Sequence, residues 1–228
     1  MSMIDVSNLT FGYEGSPELI FDHVGFQIDS GWKLGFTGRN GRGKTTFLRL
    51  LQGEYPYSGT ISASVEFEYF PYEVANLSRT GLEVVREIAP EAEDWEIQRE
   101  LGLLDLAWLE VDADVLWRPF GTLSNGERTK VLLAAMFLKE NAFLLIDEPT
   151  NHLDLEGRRK LGSYLARKRG FLLVSHDRAF LDQCVDHILA INRTNIEIQR
   201  GNFSSWWENR RRQDAFELAR QEKLQKDI

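Results

Sequence analysis

The sequence predicts an α/β fold in which a largely parallel sheet carries a phosphate-binding loop. Two features of the 228 residues indicate this fold. Short apolar runs alternate with helical segments between residues 141 and 200, as in successive βα units. A glycine-rich loop at residues 38–45 follows the strand-like run 34–36 and precedes a helix. Because a helix N-terminus after such a loop can hold phosphate, we expect a nucleotide at this edge of the sheet.

Composition divides the chain into four zones. Residues 1 to about 70 are predicted as strands, many of them antiparallel, interrupted by one helix from Lys44 to Gln52 that ends at Gly53. Residues 74–140 are predicted as a small helical insertion, because apolar residues recur there at steps of three and four. These residues are Trp95, Ile97, Leu101, Leu104 and Trp108.

The last two zones combine parallel strands with a terminal helix. Residues 141–200 supply the βα units and close with a predicted hairpin of residues 188–191 and 196–199. After Asn202 a charged helix is predicted, with Ser205 as its N-cap and Glu208 completing a capping box. We therefore expect one domain over residues 1–202 and the start of a linker helix over residues 203–228.

Composition excludes several classes of protein. The net charge of −8 and the isoelectric point of about 5.2 disfavour nucleic-acid binding by the whole surface, although Arg210, Arg211 and Arg212 form a local basic strip. The longest apolar run, residues 131–138, is far shorter than the roughly 20 residues of a membrane span. Cys184 is the one cysteine and is predicted to be a buried, reduced thiol. With no secretion signal visible at the N-terminus, we expect a cytoplasmic protein.

The loop at residues 38–45 has the spacing of a phosphate-binding loop. Its glycines let backbone N–H groups converge on a phosphate, Lys44 would reach the β- and γ-phosphates, and Thr45 would ligate Mg²⁺. The alternative is a chance glycine-rich turn.

Two consecutive acids end the apolar strand of residues 143–146. Asp147 would belong to the magnesium shell, and Glu148 would act as the general base toward water. Carboxylates also end strands without any chemical role, so the pair gains weight from its combination with the phosphate-binding loop.

Residues 123–127, Leu-Ser-Asn-Gly-Glu, open a predicted helix. Ser124 and Glu127 fit a capping box, which is a purely structural interpretation. The functional interpretation is that the Ser124 hydroxyl and the N–H groups after it face an anion supplied from outside.

Four motifs together resemble an ATP-binding-cassette (ABC) domain over residues 1 to about 200. They are residues 38–45, 123–127, 146–154 (Ile-Asp-Glu-Pro-Thr-Asn-His-Leu-Asp) and 174–177 (Val-Ser-His-Asp). The resemblance implies an ABC-type P-loop ATPase with an antiparallel β subdomain and a helical insertion, and ATP and Mg²⁺ as cofactors. It also implies that Tyr13 stacks on adenine, that Asp154 communicates between paired domains and that His176 contacts the γ-phosphate.

The implied site has three groups of residues. Those that bind nucleotide are Tyr13, Gly38, Arg39, Asn40, Gly41, Arg42, Gly43, Lys44, Thr45, Thr46, Ser124, Asn125, Gly126, Glu127 and Asp154. Glu148 and His176 are catalytic, and Thr45 and Asp147 bind the metal.

Residues 148–154 further resemble the ABC-F class, whose members act on the ribosome. Residues 201–204, which lead into a charged helix, resemble the start of the linker between two ABC-F cassettes. Residues 39–44, 117–120 and 141–143 resemble the branch that protects ribosomes from lincosamides, streptogramin A and pleuromutilins. The implied partners are a second cassette and the ribosome, with residues 210–212 as candidate contacts to rRNA phosphates.

Two residues depart from the family pattern. Tyr72 stands where a glutamine is usual, and a neutral phenol is a poor magnesium ligand. Asn125 stands where glycine is commoner, and asparagine tolerates a left-handed backbone.

Several alternatives stay open from the sequence. In this family ATP lies between the phosphate loop of one cassette and the Ser124-type motif of another, so the chain would be an N-terminal half of a longer protein or a half-length protein that dimerises. Other functions are the ATPase subunit of an ABC membrane transporter, or a cassette that binds ATP without hydrolysing it.

Overall fold

The computed structural model describes residues 2–38, 43–106, 114–192 and 195–226, with residues 217–226 described by their backbone only. Nine strands form two sheets in this part of the chain. The strands are β1 (Met3–Phe11), β2 (Phe21–Asp29), β3 (Lys33–Thr37), β4 (Ser58–Ser62), β5 (Glu66–Phe70), β6 (Ala142–Asp147), β7 (Phe171–Val174), β8 (His187–Asn192) and β9 (Asn195–Arg200). The α-helices are α1 (Lys44–Leu51), α2 (Gly81–Ile88), α3 (Asp94–Leu103), α4 (Asn125–Leu138), α5 (Leu155–Ala166), α6 (Arg178–Cys184) and α7 (Phe203–Lys226), and Phe120–Thr122 is a 3₁₀ turn.

The predicted fold class is confirmed. The larger sheet has the order β5-β6-β7-β3-β8-β9, and all of its neighbouring strands are parallel except β8 and β9, which form the predicted hairpin. The smaller sheet, β2-β1-β4, is antiparallel. Residues 193–194, which connect the hairpin strands, lie outside the described residues.

The larger sheet separates two apolar cores. Side chains alternate along β6, so that Leu144 and Ile146 pack on one side while Phe143 and Leu145 pack on the other. The first side is covered by the helices of the insertion together with α5 and α6, and the second by α1 and the antiparallel sheet. Because both faces of β6 are buried, its sequence is a continuous apolar run rather than an alternating one.

The helical insertion follows the predicted pattern with one exception. Ile97, Leu101 and Leu104 are buried, but Trp95 is 61% exposed, with the guanidinium of Arg99 over its ring. The prediction that Trp95 belongs to the apolar face was wrong, because it lies at the second residue of α3, where the helix end is open to solvent. Trp108 lies outside the described residues.

A buried carboxylate connects the insertion to α5. Glu100 of α3 is only 2% exposed, and its Oε2 accepts a hydrogen bond from the Tyr164 hydroxyl at 2.6 Å. Lys168 also donates to this oxygen, and its ammonium group lies over the rings of Tyr164 and Phe137. The negative charge is therefore compensated inside the interface, as a buried charge requires.

Helix α7 begins earlier than the capping box predicts. Its first residue is Phe203, and Asn202 accepts the backbone N–H of Ser205 at 3.0 Å, so Asn202 is the cap and Ser205 is not. Asparagine competes well for this position because its side-chain oxygen reaches the free N–H groups of the first turn.

The first turn of α7 is fixed to α6. Asp182 accepts hydrogen bonds from the backbone N–H of Ser204 at 2.8 Å and from its hydroxyl. The Arg178 guanidinium lies 4.9 Å from the ring centre of Trp207 and 5.4 Å from that of Phe203. Among the described residues, no helix has the length and apolar character needed to cross a membrane.

Candidate functional site

The site forms at the carboxyl edge of the larger sheet. Strands β3, β6 and β7 are parallel, so Gly38, Asp147 and Ser175 emerge at the same edge. This is the edge at which α/β proteins bind ligands. Helix α1 begins there with Lys44.

The phosphate-binding loop can be followed at both ends. Gly43, the N-cap of α1, has a φ of 93°, and a Cβ at this position would lie 2.6 Å from Ile20 Cγ2. Only glycine combines this backbone with this close packing. Lys44 Nζ donates to the Gly38 carbonyl at 2.8 Å, so the lysine closes the loop on itself. Arg39, Asn40, Gly41 and Arg42 lie outside the described residues.

Lys44 also belongs to an electrostatic group with the two acids. Burial lowers the pKa of Lys44, and the negative charges of Glu148 and Asp147 oppose this effect. Lys44 is thus a partly buried cation whose charge interacts favourably with both carboxylates at this edge.

Tyr13 is held near the start of α1 by contacts that the sequence did not predict. Its hydroxyl lies 2.7 Å from Thr46 Oγ1, and its ring meets the rings of Phe11 and Tyr55 edge-on at 5.2 and 5.9 Å. The side chain remains 44% exposed, which leaves it accessible to a ligand. The sequence analysis did not identify Tyr55 as a neighbour of Tyr13. The position of Tyr55, two residues after the predicted helix end at Gly53, was a usable signal that it returns toward the start of the site.

Glu148 has both an unusual backbone and an incompletely satisfied carboxylate. Its φ is 49°, which is uncommon for a residue other than glycine. Oε1 is buried and lies 3.3 Å from His176 Nε2 without forming a hydrogen bond, while Oε2 accepts the His176 backbone N–H at 3.4 Å. Burial raises the pKa of Glu148, and the nearby His176 opposes this rise. A buried acceptor without a donor has unused capacity to bind a proton-bearing ligand.

Asp147 has a different partner. Its Oδ2 accepts a hydrogen bond from Tyr69 at 2.9 Å. Burial, together with the adjacent charge and hydrogen bond of Asp147, raises the pKa of Tyr69 to about 12. Tyr72, the residue at the position usually held by glutamine, instead donates to Glu87 at 2.7 Å, and this bond raises its pKa to about 12. Tyr69 was missed by the sequence analysis, which considered only Tyr72 for this edge.

The Ser124 motif and Asp154 lie together at the starts of α4 and α5. Ser124 and Glu127 form the predicted capping box at the start of α4, with Asn125 as the first helical residue at a negative φ. Asp154 caps α5 by accepting the Gly157 N–H at 2.7 Å. A Cβ at Gly126 would lie 3.2 Å from Leu153 Cδ2, which places the two loops in contact. The described contacts of this motif include none to Lys44.

A cleft of about 730 Å³ extends from the phosphate loop to α7. Gly38, Lys44 and His176 line one end, and Trp206, Trp207 and Arg210 line the other. The same cleft thus joins the candidate phosphate site to the anchored first turns of α7.

These residues fit a nucleoside triphosphate with Mg²⁺. Gly43 provides a close backbone approach, Lys44 a partly buried cation, and Glu148 a buried oxygen that accepts no hydrogen bond from the described residues. The described residues contain no cluster of three or more His, Cys, Asp or Glu side chains that could hold a metal.

The fold and this site define a P-loop nucleotide-binding domain. The family model described as "ABC transporter" matches residues 21–151, and the chain belongs to this family. It is an ABC ATP-binding cassette.

Curated relatives include an ABC transporter F family member, a ribosome protection protein and a putative ATP-binding protein. The chain is 32% identical to ABC transporter F family member 5 of Arabidopsis thaliana, over 98% of this chain and 32% of the relative. It is 34% identical to the ribosome protection protein VmlR of Bacillus subtilis (strain 168), over 89% of this chain and 36% of the relative. The putative ATP-binding protein YdiF of the same strain is also 34% identical, over 96% of this chain and 34% of the relative. The chain thus spans about a third of the length of these relatives.

Solved structures share the fold. A putative metal-chelate type ABC transporter in an inward-facing conformation has a TM-score of 0.70 at 23% identity, with 88% of this chain and 84% of that chain covered. A bacterial Atm1-family ABC exporter with ATP bound has a TM-score of 0.70 at 21% identity, with 88% of this chain and 39% of that chain covered.

Proposed function

We propose that the chain is the ATP-hydrolysing cassette of an ABC-F protein that binds the ribosome under the control of ATP. The carrying observation is that Lys44, Asp147, Glu148 and His176 meet at one sheet edge. The similarity to ABC transporter F family member 5 and to a ribosome protection protein supports the choice of ABC-F. The ribosomal-protection branch is part of this proposal.

Different residues of the chain bind the base, the phosphates and Mg²⁺. Tyr13 stacks on the base, and residues 38–46 hold the phosphates through Lys44 and the backbone N–H groups of the loop and of α1. Thr45 and Asp147 hold Mg²⁺, which when bound neutralises charge on the phosphates.

Glu148 and His176 act on the attacking water. Glu148 accepts its proton through the free Oε1, and the backbone N–H of His176 keeps the other oxygen engaged. His176 also faces the γ-phosphate. Since the positions of both groups are fixed by the ends of β6 and β7, little reorganisation is needed when the substrate binds.

The site is completed by a second cassette. Ser124, Asn125, Gly126, Glu127 and Asp154 would act on nucleotide held by that partner, because the described contacts of the Ser124 motif include none to Lys44. The partner cassette belongs to the same full-length chain or to a second copy. We assign residues 1–202 to the cassette, with its helical insertion at about residues 74–140. Residues 203–228 are the start of a linker in which residues 210–212 contact rRNA phosphates.

Ribosome co-sedimentation tests this proposal. Ribosomes are pelleted with the wild-type chain, with Glu148→Gln and with Lys44→Ala, each with and without Mg-ATP. We expect Glu148→Gln to pellet most strongly with ATP, because it binds nucleotide without turning it over, and Lys44→Ala to pellet at the nucleotide-free level.

Glu140→Gln is the matched control, since Glu140 is exposed and has no hydrogen bond or ion pair among the described residues. It should pellet as the wild type does. Absence of the Glu148→Gln chain from the ribosome pellet at every nucleotide concentration would contradict the ribosomal part of the proposal. Phosphate release is measured separately on the wild type together with its second cassette, and its absence there would contradict hydrolysis.

A further inference from the structure

The segment that starts with β5 carries two tyrosines, three residues apart, that bond to different elements. Tyr69 donates to Asp147 Oδ2 at 2.9 Å, at the carboxyl end of β6. Tyr72 donates to Glu87 at 2.7 Å, and Glu87 also accepts from Arg79. The phenol that reaches the candidate metal site is therefore Tyr69, not the one at the position usually held by glutamine.

The pairing of β5 with β6 explains why Tyr69 reaches Asp147. Strand β5 runs parallel to β6 with Tyr69 opposite Leu145. Because side chains alternate along a strand, Leu145 and Asp147 share a face, and Tyr69 lies on that face as the diagonal neighbour of Asp147. A tyrosine is long enough to span a diagonal pair. The hydrogen bond thus follows from register rather than from a flexible loop.

The ring of Tyr69 is held by packing. It is partly buried and packs against the core between the larger sheet, α1 and the antiparallel sheet. Its hydroxyl therefore presents a donor at a fixed place, and the Asp147 carboxylate that accepts from it is limited to one orientation. Oδ1 is left without a hydrogen bond to the protein among the described residues.

We propose that Tyr69 is a positioning residue for Mg²⁺: it holds one oxygen of Asp147 so that the other faces the metal shell. This inference rests on the proposed function of Asp147. Partners of this kind fix a ligand's orientation, and their removal weakens metal binding by about 10–100-fold. We expect the lower end here, because Mg²⁺ is also held by phosphate oxygens.

The test compares Tyr69→Phe with Tyr72→Phe. Each variant loses one phenolic hydroxyl from the same segment, but only Tyr69→Phe changes the environment of Asp147. Binding of Mn²⁺ in the presence of saturating ATP is followed by electron paramagnetic resonance, with the Glu148→Gln substitution in every chain to prevent turnover. Binding of a fluorescent ATP analogue is then measured as a function of the free Mg²⁺ concentration. The same binding is also measured in EDTA, without Mg²⁺.

We expect Tyr69→Phe to weaken Mn²⁺ binding about tenfold and to raise the Mg²⁺ concentration for half-maximal analogue binding by a similar factor. Binding in EDTA should be unchanged, which shows that the fold and the phosphate loop are intact. Tyr72→Phe should match the parent chain in all three measurements. Equal or tighter Mn²⁺ binding by Tyr69→Phe would overturn the inference, and so would an equal loss in Tyr72→Phe. If the parent chain binds no nucleotide, the proposed function itself fails, which is a distinguishable result.

Discussion

Glu148 and His176 meet across the ends of β6 and β7 through both carboxylate oxygens. The His176 imidazole lies 3.3 Å from Oε1, and its backbone N–H donates to Oε2 at 3.4 Å. The positive φ of Glu148 accompanies this arrangement. Strained backbone of this kind persists where the surrounding structure determines it, and it concentrates at functional sites.

Replacing Glu148 by glutamine tests its assignment as the general base. We expect phosphate release to fall at least a hundredfold, since general bases contribute about 10²–10⁴-fold. The affinity for Mg-ATP should stay within about twofold, because Lys44 and the loop remain. Phosphate release and equilibrium binding are measured on the same preparation. Glu140→Gln should leave both unchanged; a Glu148→Gln chain that hydrolyses ATP at the wild-type rate would refute the assignment.

The same substitution has a predicted effect on stability that depends on pH. Burial raises the pKa of Glu148, so the folded chain binds this proton more tightly than the unfolded chain. The stability that the carboxyl contributes is therefore greatest at low pH, and it declines as pH rises from the ordinary pKa of glutamate through the raised value. Above that window the wild type holds a carboxylate in a site that favours the neutral form.

We therefore expect Glu148→Gln to melt a few degrees above the wild type at pH 8, and the difference to shrink toward pH 5. Thermal unfolding followed by circular dichroism at both pH values measures this. Glu140→Gln should show no difference at either pH. A wild type that is more stable than Glu148→Gln at pH 8 would mean that the contact with His176 outweighs burial.

The buried carboxylate of Glu100 predicts a large effect from a small change. Tyr164→Phe removes one donor from a charge that is 2% exposed, and a hydrogen bond to a charged group contributes about 1.5–3 kcal/mol. We expect a loss of this size in the free energy of unfolding, measured by urea denaturation. Tyr72→Phe also removes a phenol–carboxylate bond, but at the surface, where the expected loss is below about 0.5 kcal/mol. Similar losses in both variants would contradict this account.

The contacts of Arg178 with the first turns of α7 predict a local effect on hydrogen exchange in this helix. Exposed cation–π contacts contribute about 0.5–1 kcal/mol, so Arg178→Ala should speed hydrogen exchange in the first turns of α7 by roughly two- to fivefold. Arg212→Ala is the control, because Arg212 of the same helix is exposed and its one ion pair among the described side chains is with Glu208. Exchange is measured by mass spectrometry over residues 203–212. Unchanged exchange in Arg178→Ala would show that the Asp182 contacts to Ser204 hold the helix without the arginine.

Much of the site could be predicted because its residues lie next to strand ends in the sequence. Lys44 begins a helix directly after the loop of β3, and Asp147 ends an apolar strand. In a parallel sheet, the residues that directly follow each strand in the sequence lie at the carboxyl edge. The fold class followed from the same alternation of apolar runs and helices, and the structure confirms it. The roles of the individual site residues stay predictions.

The parts that escaped prediction depend on contacts between distant residues. Tyr69 and Asp147, or Glu100 and Tyr164, are joined only by strand register and helix packing, which no local pattern encodes. The apolar spacing placed Trp95 on the buried face, but position within a helix does not say whether a neighbouring element covers it. Asn202 and Ser205 both have capping side chains, and the choice between them is made by the Asp182 contacts to Ser204.

The anchored start of α7 makes the helix a lever. At 1.5 Å per residue, the 24 residues of Phe203–Lys226 extend about 36 Å from the turn that Asp182 and Arg178 hold. Each degree of rotation at that turn displaces the far end by about 0.6 Å. Small angular changes in α6, two residues beyond His176, are therefore enlarged to distances comparable with the size of a side chain at the other end of the helix.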